Sequence, residues 1–412
     1  MLKCYETFHA RAFKLRQHCR QTSIRTPPAI KTILPQQIKL RLSVPLKPRI
    51  VDLVLLLLLL ASSAQAVQMR EELTHIPWTQ AAPNGLTALL VYADLPGKHP
   101  LVVITHGTSR ELDPRNNITP WLFLPQARWF ARRGFVALVV IRRGYGSSGG
   151  KPDYLGNGRC PQIDYEGAAR KSAEDLRISI DFGSKLPQVD PTGVLAVGIS
   201  TGGMATVALT ANAPENLVAA INFAGGRGSN ADHQICNSEA LVDAYRDFGR
   251  HSRTPMLWIY ADNDKYFWPE IAQQFDAAFR STGGQDQFLR APAFGEDGHT
   301  LFSHGIPIWS PMVDDFLKAH DLVLLPQPLP EIAPPNIPPP AGLSDRGQQA
   351  FRGYLTLGPH KAFALSAHHY ASSVAQMTSD DARKDALKNC NRLAAPDKET
   401  CSIAFEENSP AN

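Results

Sequence analysis

At 412 residues the chain is too long for one small domain and has length to bury a large core, so one large domain with something smaller beside it is expected. The formal net charge of +4 misleads, because residues 1–66 hold eleven Lys/Arg against two Asp/Glu, which leaves 31 against 36 beyond them. That acidic remainder excludes a basic nucleic-acid-binding surface, and no nucleic-acid partner is expected.

In chain order, the first recognisable segment is Lys47 to Ala66, "KPRIVDLVLLLLLLASSAQA". A basic flank, an apolar run from Leu53 to Ala61 and the small-x-small ending Ala64-Gln65-Ala66 read as a secretory signal cut after Ala66. The apolar run is well short of the roughly 20 residues that span a bilayer, so no transmembrane span is expected; an uncleaved anchor is the alternative. The basic stretch ahead of it is long for a signal's charged region and suggests a start of translation downstream of Met1. Export implies a secreted or periplasmic protein in an oxidising compartment. Four cysteines survive cleavage there, Cys160, Cys236, Cys390 and Cys401, and an even number favours pairing.

From residue 67 onward, short apolar runs such as "LVVITHG", "FVALVVIRRG", "GVLAVGIS", "LVAAINFAGG" and "TPMLWIYADND" alternate with longer amphipathic ones. Continuous apolar strands separated by helices signify a parallel sheet covered on both faces, a doubly wound α/β domain whose ligands sit at the carboxyl ends of the strands. Residues 326–340 carry eight prolines and suit a stiff extended spacer. The expected division is therefore a leader (1–66), an α/β body (67–325), a linker (326–340) and a small C-terminal α+β module (341–412).

The chemistry concentrates at strand ends. Gly198-Ile199-Ser200-Thr201-Gly202 fits the Gly-x-Ser-x-Gly elbow between a strand and a helix. Neighbours without side chains permit a turn sharp enough to lift the Ser200 hydroxyl above the sheet edge, and the same turn aims the Thr201 amide at an oxyanion. Serine is a weak nucleophile at its ordinary pKa and needs a histidine base oriented by a carboxylate. The strand "MLWIY" ends in Ala261-Asp262-Asn263-Asp264, which offers two carboxylates. About 35 residues on, "FGEDGHTLFSHG" offers His299 after a glycine, with His304 as its competitor.

The order Ser200, Asp, His with all three at strand ends is more specific than any one of them. On "THGTS", "RRGYGSSGG", "GISTGG" and "YADNDKYF…GEDGHT", residues 85–320 resemble the α/β-hydrolase family, in particular its dienelactone-hydrolase-like and prolyl-oligopeptidase-like branches. The resemblance implies the α/β-hydrolase fold, and it selects Asp264 over Asp262 by its spacing from Ala261. It also implies an oxyanion hole completed by a backbone amide after His106, assigned to Thr108 with Gly107 as the competing choice; the Thr108 side chain carries no information for that role. The glycine-rich loop Arg142–Gly150 should line the pocket.

By the same resemblance Cys160 and Cys236 fall on the face that carries the triad, and a bridge between them is expected to brace the pocket rim. In the tail, "KAFALSAHH", "SDDARKDALKNC" and "CSIAFEEN" read as strand, helix and strand, stapled by Cys390–Cys401. His360, His368 and His369 show no ligand spacing, so no metal is expected. The leading reading is an exported serine hydrolase that cleaves an ester with Ser200, His299 and Asp264 and with the amides of Thr201 and Thr108, without a cofactor, on a small-molecule ester or amide. The alternatives are a peptidase or aminoacyl-amide hydrolase of the prolyl-oligopeptidase-like type, and a non-catalytic protein on a hydrolase fold whose tail contacts an envelope partner.

Overall fold

The computed structural model describes residues 67–153 and 158–411, so the signal segment and the cut after Ala66 lie outside the described residues. The apolar runs become one eight-stranded sheet. Its strands in chain order are β1 (Met69–Ile76), β2 (Leu86–Ala93), β3 (His99–Thr105), β4 (Val136–Val140), β5 (Val189–Ile199), β6 (Leu217–Phe223), β7 (Met256–Ala261) and β8 (Asp286–Ala291). Across the sheet the order is β1-β2-β4-β3-β5-β6-β7-β8. β2 pairs antiparallel with β1 and β4, and every other pairing in the sheet is parallel.

Both faces are covered, which is why the central strands carry long apolar runs. In β3, Leu101 and Val103 belong to the core on one face and Val102 and Ile104 to the core on the other, all fully buried. Helices α2 (Tyr165–Gly183), α3 (Thr201–Thr210), α4 (Ser238–His251) and α5 (Pro269–Arg280) supply the first layer. The second comes from α1 (Leu124–Ala131) and α6 (Ile306–Ala319). Local signals fix where the helices start: the Asp164 carboxylate accepts the Gly167 amide at α2, and the Asn237 side chain accepts the Ala240 amide at α4.

Residues 341–411 build a second sheet. It comprises β9 (Ala362–Leu365), β10 (Tyr370–Ser373), β11 (Ser402–Glu406) and β12 (Ser409–Pro410) in the order β10-β9-β11-β12, with α7 (Asp345–Thr356) and α8 (Ser379–Ala394) beside it. The sequence reading has no counterpart for α7 or β10, because α7 contains two glycines and β10 is four residues long with one buried position.

Disulfides join Cys160 to Cys236 and Cys390 to Cys401. The first closes 76 residues of chain and the second 11, so loop closure in the unfolded state makes the longer bridge worth about 4 kcal/mol and the shorter about 3 kcal/mol. Among the described residues no helix is long and apolar enough to cross a membrane.

Candidate active site

The Ser200 turn is built by close approach of backbone to backbone. A Cβ on Gly202 would lie 2.4 Å from the His106 carbonyl oxygen, and one on Gly198 would lie 2.2 Å from the Gly202 oxygen. Both positions therefore require glycine. Ser200 itself has φ +57°, ψ −123°, a conformation that costs a non-glycine residue energy and that the packing around it enforces. Its amide donates to the Phe223 carbonyl at 2.9 Å, and α3 begins at the next residue. Gly107 passes so close that a Cβ there would sit 2.8 Å from the Ser200 Cβ, which brings the segment after β3 alongside the elbow.

Asp264 and His299 are joined. His299 Nδ1 lies 2.9 Å from Asp264 Oδ2 and 3.2 Å from Oδ1, with the aspartate fully buried. Asp264 Oδ1 also accepts the amides of Tyr266 and Phe267 at 2.7 and 2.8 Å, which holds the carboxylate beside the ring. Asp262, the other carboxylate of this strand end, pairs with Arg290 at the exposed edge instead. The imidazole is fixed on its face as well. Tyr266 stacks on His299 with ring centroids 4.0 Å apart and planes 10° apart, and the Arg110 guanidinium lies 3.7 Å above the Tyr266 ring. Ser200 and His299 line one cavity of about 410 Å³, with Gly107, Thr108, Ile118, Leu122, Phe123 and Tyr145 among its walls. His304 does not line it.

Thr108 and Thr201, picked for their amides, are also joined through their side chains. Their hydroxyls are 2.8 Å apart; Thr108 Oγ1 is 2.6 Å from the Tyr145 hydroxyl, and that hydroxyl donates to Asp153 at 2.7 Å. A carboxylate only accepts, so the proton order follows along the chain: Arg142 donates to Thr201 at 2.9 Å, Thr201 to Thr108, Thr108 to Tyr145 and Tyr145 to Asp153. Arg142 and Asp153, at the two ends, are both buried, and Asp153 is shared with the buried Arg227 at 2.5 Å. Burial alone would raise the Asp153 pKa, but the Arg227 and Arg142 guanidiniums outweigh it and hold the carboxyl far below its ordinary range.

His106 controls the peptide next to the serine. The Arg142 amide donates to His106 Nε2 at 3.0 Å, so the ring proton is on Nδ1, which lies 2.6 Å from the Gly107 carbonyl oxygen. That carbonyl belongs to the peptide whose N–H is Thr108's. Burial, and then the Arg142 charge, push the His106 pKa well below its ordinary value and keep the ring neutral.

Beyond Ser200 a second cavity of about 200 Å³ is lined by Thr201, Arg110, Arg227, Gly228, Tyr266 and Phe267 among others. Gly158 lines it too, two residues from Cys160, and Gly228 accepts the Cys236 amide at 3.0 Å, so the first disulfide ties two walls of this cavity together. The sequence reading placed Arg142 only at the head of a pocket-lining loop and gave no role to its side chain, to Tyr266 or to the two threonine hydroxyls. Only Arg142 carried a signal: a pair of arginines directly after an all-apolar strand.

His360, His368 and His369 each face one carboxylate, those of Glu407, Glu399 and Asp397. Among the described residues no group of three or more His, Cys, Asp or Glu is placed to hold a metal ion.

No family model matches the chain, and no curated protein does. Among solved structures it is similar to a dienelactone hydrolase-like protein of Klebsiella pneumoniae, at 15% identity and a TM-score of 0.44 over 61% of this chain and 98% of the other. It is similar to an esterase of Pyrococcus furiosus at 14% identity and 0.41, over 62% and 93%. A thermophilic esterase of Thermogutta terrifontis stands at 17% and 0.41, over 62% and 94%. The order of the chain's own strands, with β2 alone reversed, is that of the α/β-hydrolase fold.

Proposed function

We propose that the protein is an exported serine hydrolase that cleaves carboxylic esters. The observation that carries this reading is a histidine bound through Nδ1 to a buried aspartate and sharing a cavity with a serine on a strained strand-to-helix elbow. With Nδ1 engaged, Nε2 is the nitrogen left to take the Ser200 proton as Oγ attacks the ester carbonyl. The tetrahedral oxyanion is held by the amides of Thr201 and Thr108, each such donor being worth about 3–4 kcal/mol in the transition state. His299 then returns the proton to the departing alkoxide as the carbon–oxygen bond breaks. Water deacylates Ser200 by the same steps in reverse.

Apolar walls at Ile118, Leu122 and Phe123 favour an apolar ester substrate. Export is supported by two disulfides and by the apolar segment ahead of Ala66. Hydrolysis of p-nitrophenyl esters tests the reading. Ser200→Ala should lower kcat by about 10⁶-fold, and Asp264→Asn by about 10⁴-fold with little change in KM. Full activity in folded Ser200→Ala would overturn it.

A further inference from the structure

The cavity that Ser200 and His299 share is not closed by the α/β body alone. Its outer wall is Val374, Ala375 and Gln376, the turn between β10 and α8 of the C-terminal module. This wall is built in. Ala375 sits at φ +56°, where a residue with a Cβ is strained, and its carbonyl accepts the Thr119 hydroxyl at 2.5 Å. Its methyl packs against the core of the body, not that of the module. The Gln376 amide donates to the His360 carbonyl at 3.2 Å, and its side chain donates to Ser373 Oγ at 3.1 Å and to the Val374 carbonyl at 3.3 Å. His360 in turn meets Trp121 of the body edge to face, with centroids 5.3 Å apart.

A further cavity of about 370 Å³ begins where this one ends. The two share Asn117, Ile118, Thr119 and Gln376, and the farther one continues past Met377 to Asp381 and Lys384 on α8. The walls of this seam between body and module thus carry Ile118, Leu122, Phe123 and Val374 beside Arg115 near Ser200, and Asp381, Lys384 and Asp385 at the far end. His299 lines the cavity at the head of this seam and does not line the 200 Å³ cavity that shares Ser200 with it. Since His299 must hand its proton to the leaving oxygen, the seam is the leaving-group side and the smaller cavity is the acyl side.

Resting on the reading of Ser200 as nucleophile, we infer that the C-terminal module forms the leaving-group site, and that the substrates are esters of short acids with long, extended alcohols that lie along the seam. Contacts far from the carbonyl then contribute to the rate, as remote binding energy does when it is realised in the transition state.

The test is a pH-stat comparison of ethyl acetate, decyl acetate and ethyl decanoate with the purified full chain. The wild type should show kcat/KM at least tenfold higher for decyl acetate than for ethyl acetate, and no comparable gain for ethyl decanoate. Gln376→Trp, which fills the junction of the two cavities, should lower the decyl to ethyl acetate ratio at least tenfold. A wild type that gains equally from either long chain, or from ethyl decanoate alone, overturns the assignment without any variant. So does a folded Gln376→Trp protein with an unchanged ratio. A wild type inert toward all three esters but also toward p-nitrophenyl esters removes the hydrolase reading itself, and this inference with it.

Discussion

Two threonine hydroxyls 2.8 Å apart tie together the two backbone segments whose amides are proposed to hold the oxyanion. Removing one is a local perturbation, because Thr201→Val keeps the shape, deprives Thr108 of the Thr201 hydroxyl donor and leaves the Arg142 guanidinium only the longer 3.4 Å contact to Thr108 Oγ1 in place of its 2.9 Å bond to Thr201. The expected result is a fall in kcat of about tenfold, roughly 1.4 kcal/mol in the barrier, with a smaller change in KM and recovery in Thr201→Ser. A role in packing alone would not discriminate serine from valine in this direction. His106 yields a second outcome at the same scale. The folded protein keeps the ring neutral, whereas the unfolded chain takes up a proton there below about pH 6.5. Stability contributed by this site is thus complete above pH 6.5 and is lost as pH falls below it, at up to about 1.4 kcal/mol per pH unit. Denaturant titrations between pH 7 and 5 should show a steeper loss in the wild type than in His106→Asn. Parallel profiles would contradict the neutral ring.

At the scale of elements, the strand-to-helix elbow is legible in the sequence because its steric demands fall on consecutive residues: Gly198 and Gly202 are glycine where a Cβ would strike backbone. Chain order and strand ends point to an acid among Asp262 and Asp264 and to His299, and only the family resemblance selects Asp264, since neither residue has a local demand that its neighbours reveal. The Arg110–Tyr266–His299 stack and the chain from Arg142 to Asp153 were not legible. They join residues far apart in sequence, Thr108 and Thr201 being separated by 93 positions, and no local pattern constrains either partner. The Cys160–Cys236 bridge belongs to this scale too, because it holds the segments of Gly158 and Gly228 together at the smaller cavity. Replacing both cysteines by serine should destabilise the protein by about 4 kcal/mol, seen as a lower denaturation midpoint with an unchanged native circular dichroism spectrum. An unchanged midpoint would mean that the loop is held by its other contacts.

Over the whole molecule, the alternation of apolar strands with amphipathic helices was enough to specify a doubly covered sheet, because burial on both faces leaves no polar positions in Leu101–Ile104 of β3 or in β4. How the C-terminal module meets the body was not written in the same way. Ala375 joins the body's core as a single methyl from a turn, and Thr119 bonds to its carbonyl across 256 residues of sequence. In the proposed reaction Ser200, His299 and Asp264 act together on one carbonyl. The most direct test of that joint action is to treat the folded protein with a fluorophosphonate and map the adduct by peptide mass spectrometry. A single adduct on Ser200, formed in the wild type and slowed by orders of magnitude in His299→Ala, is the predicted result. An adduct on another serine, or none in protein shown to be folded, would contradict it.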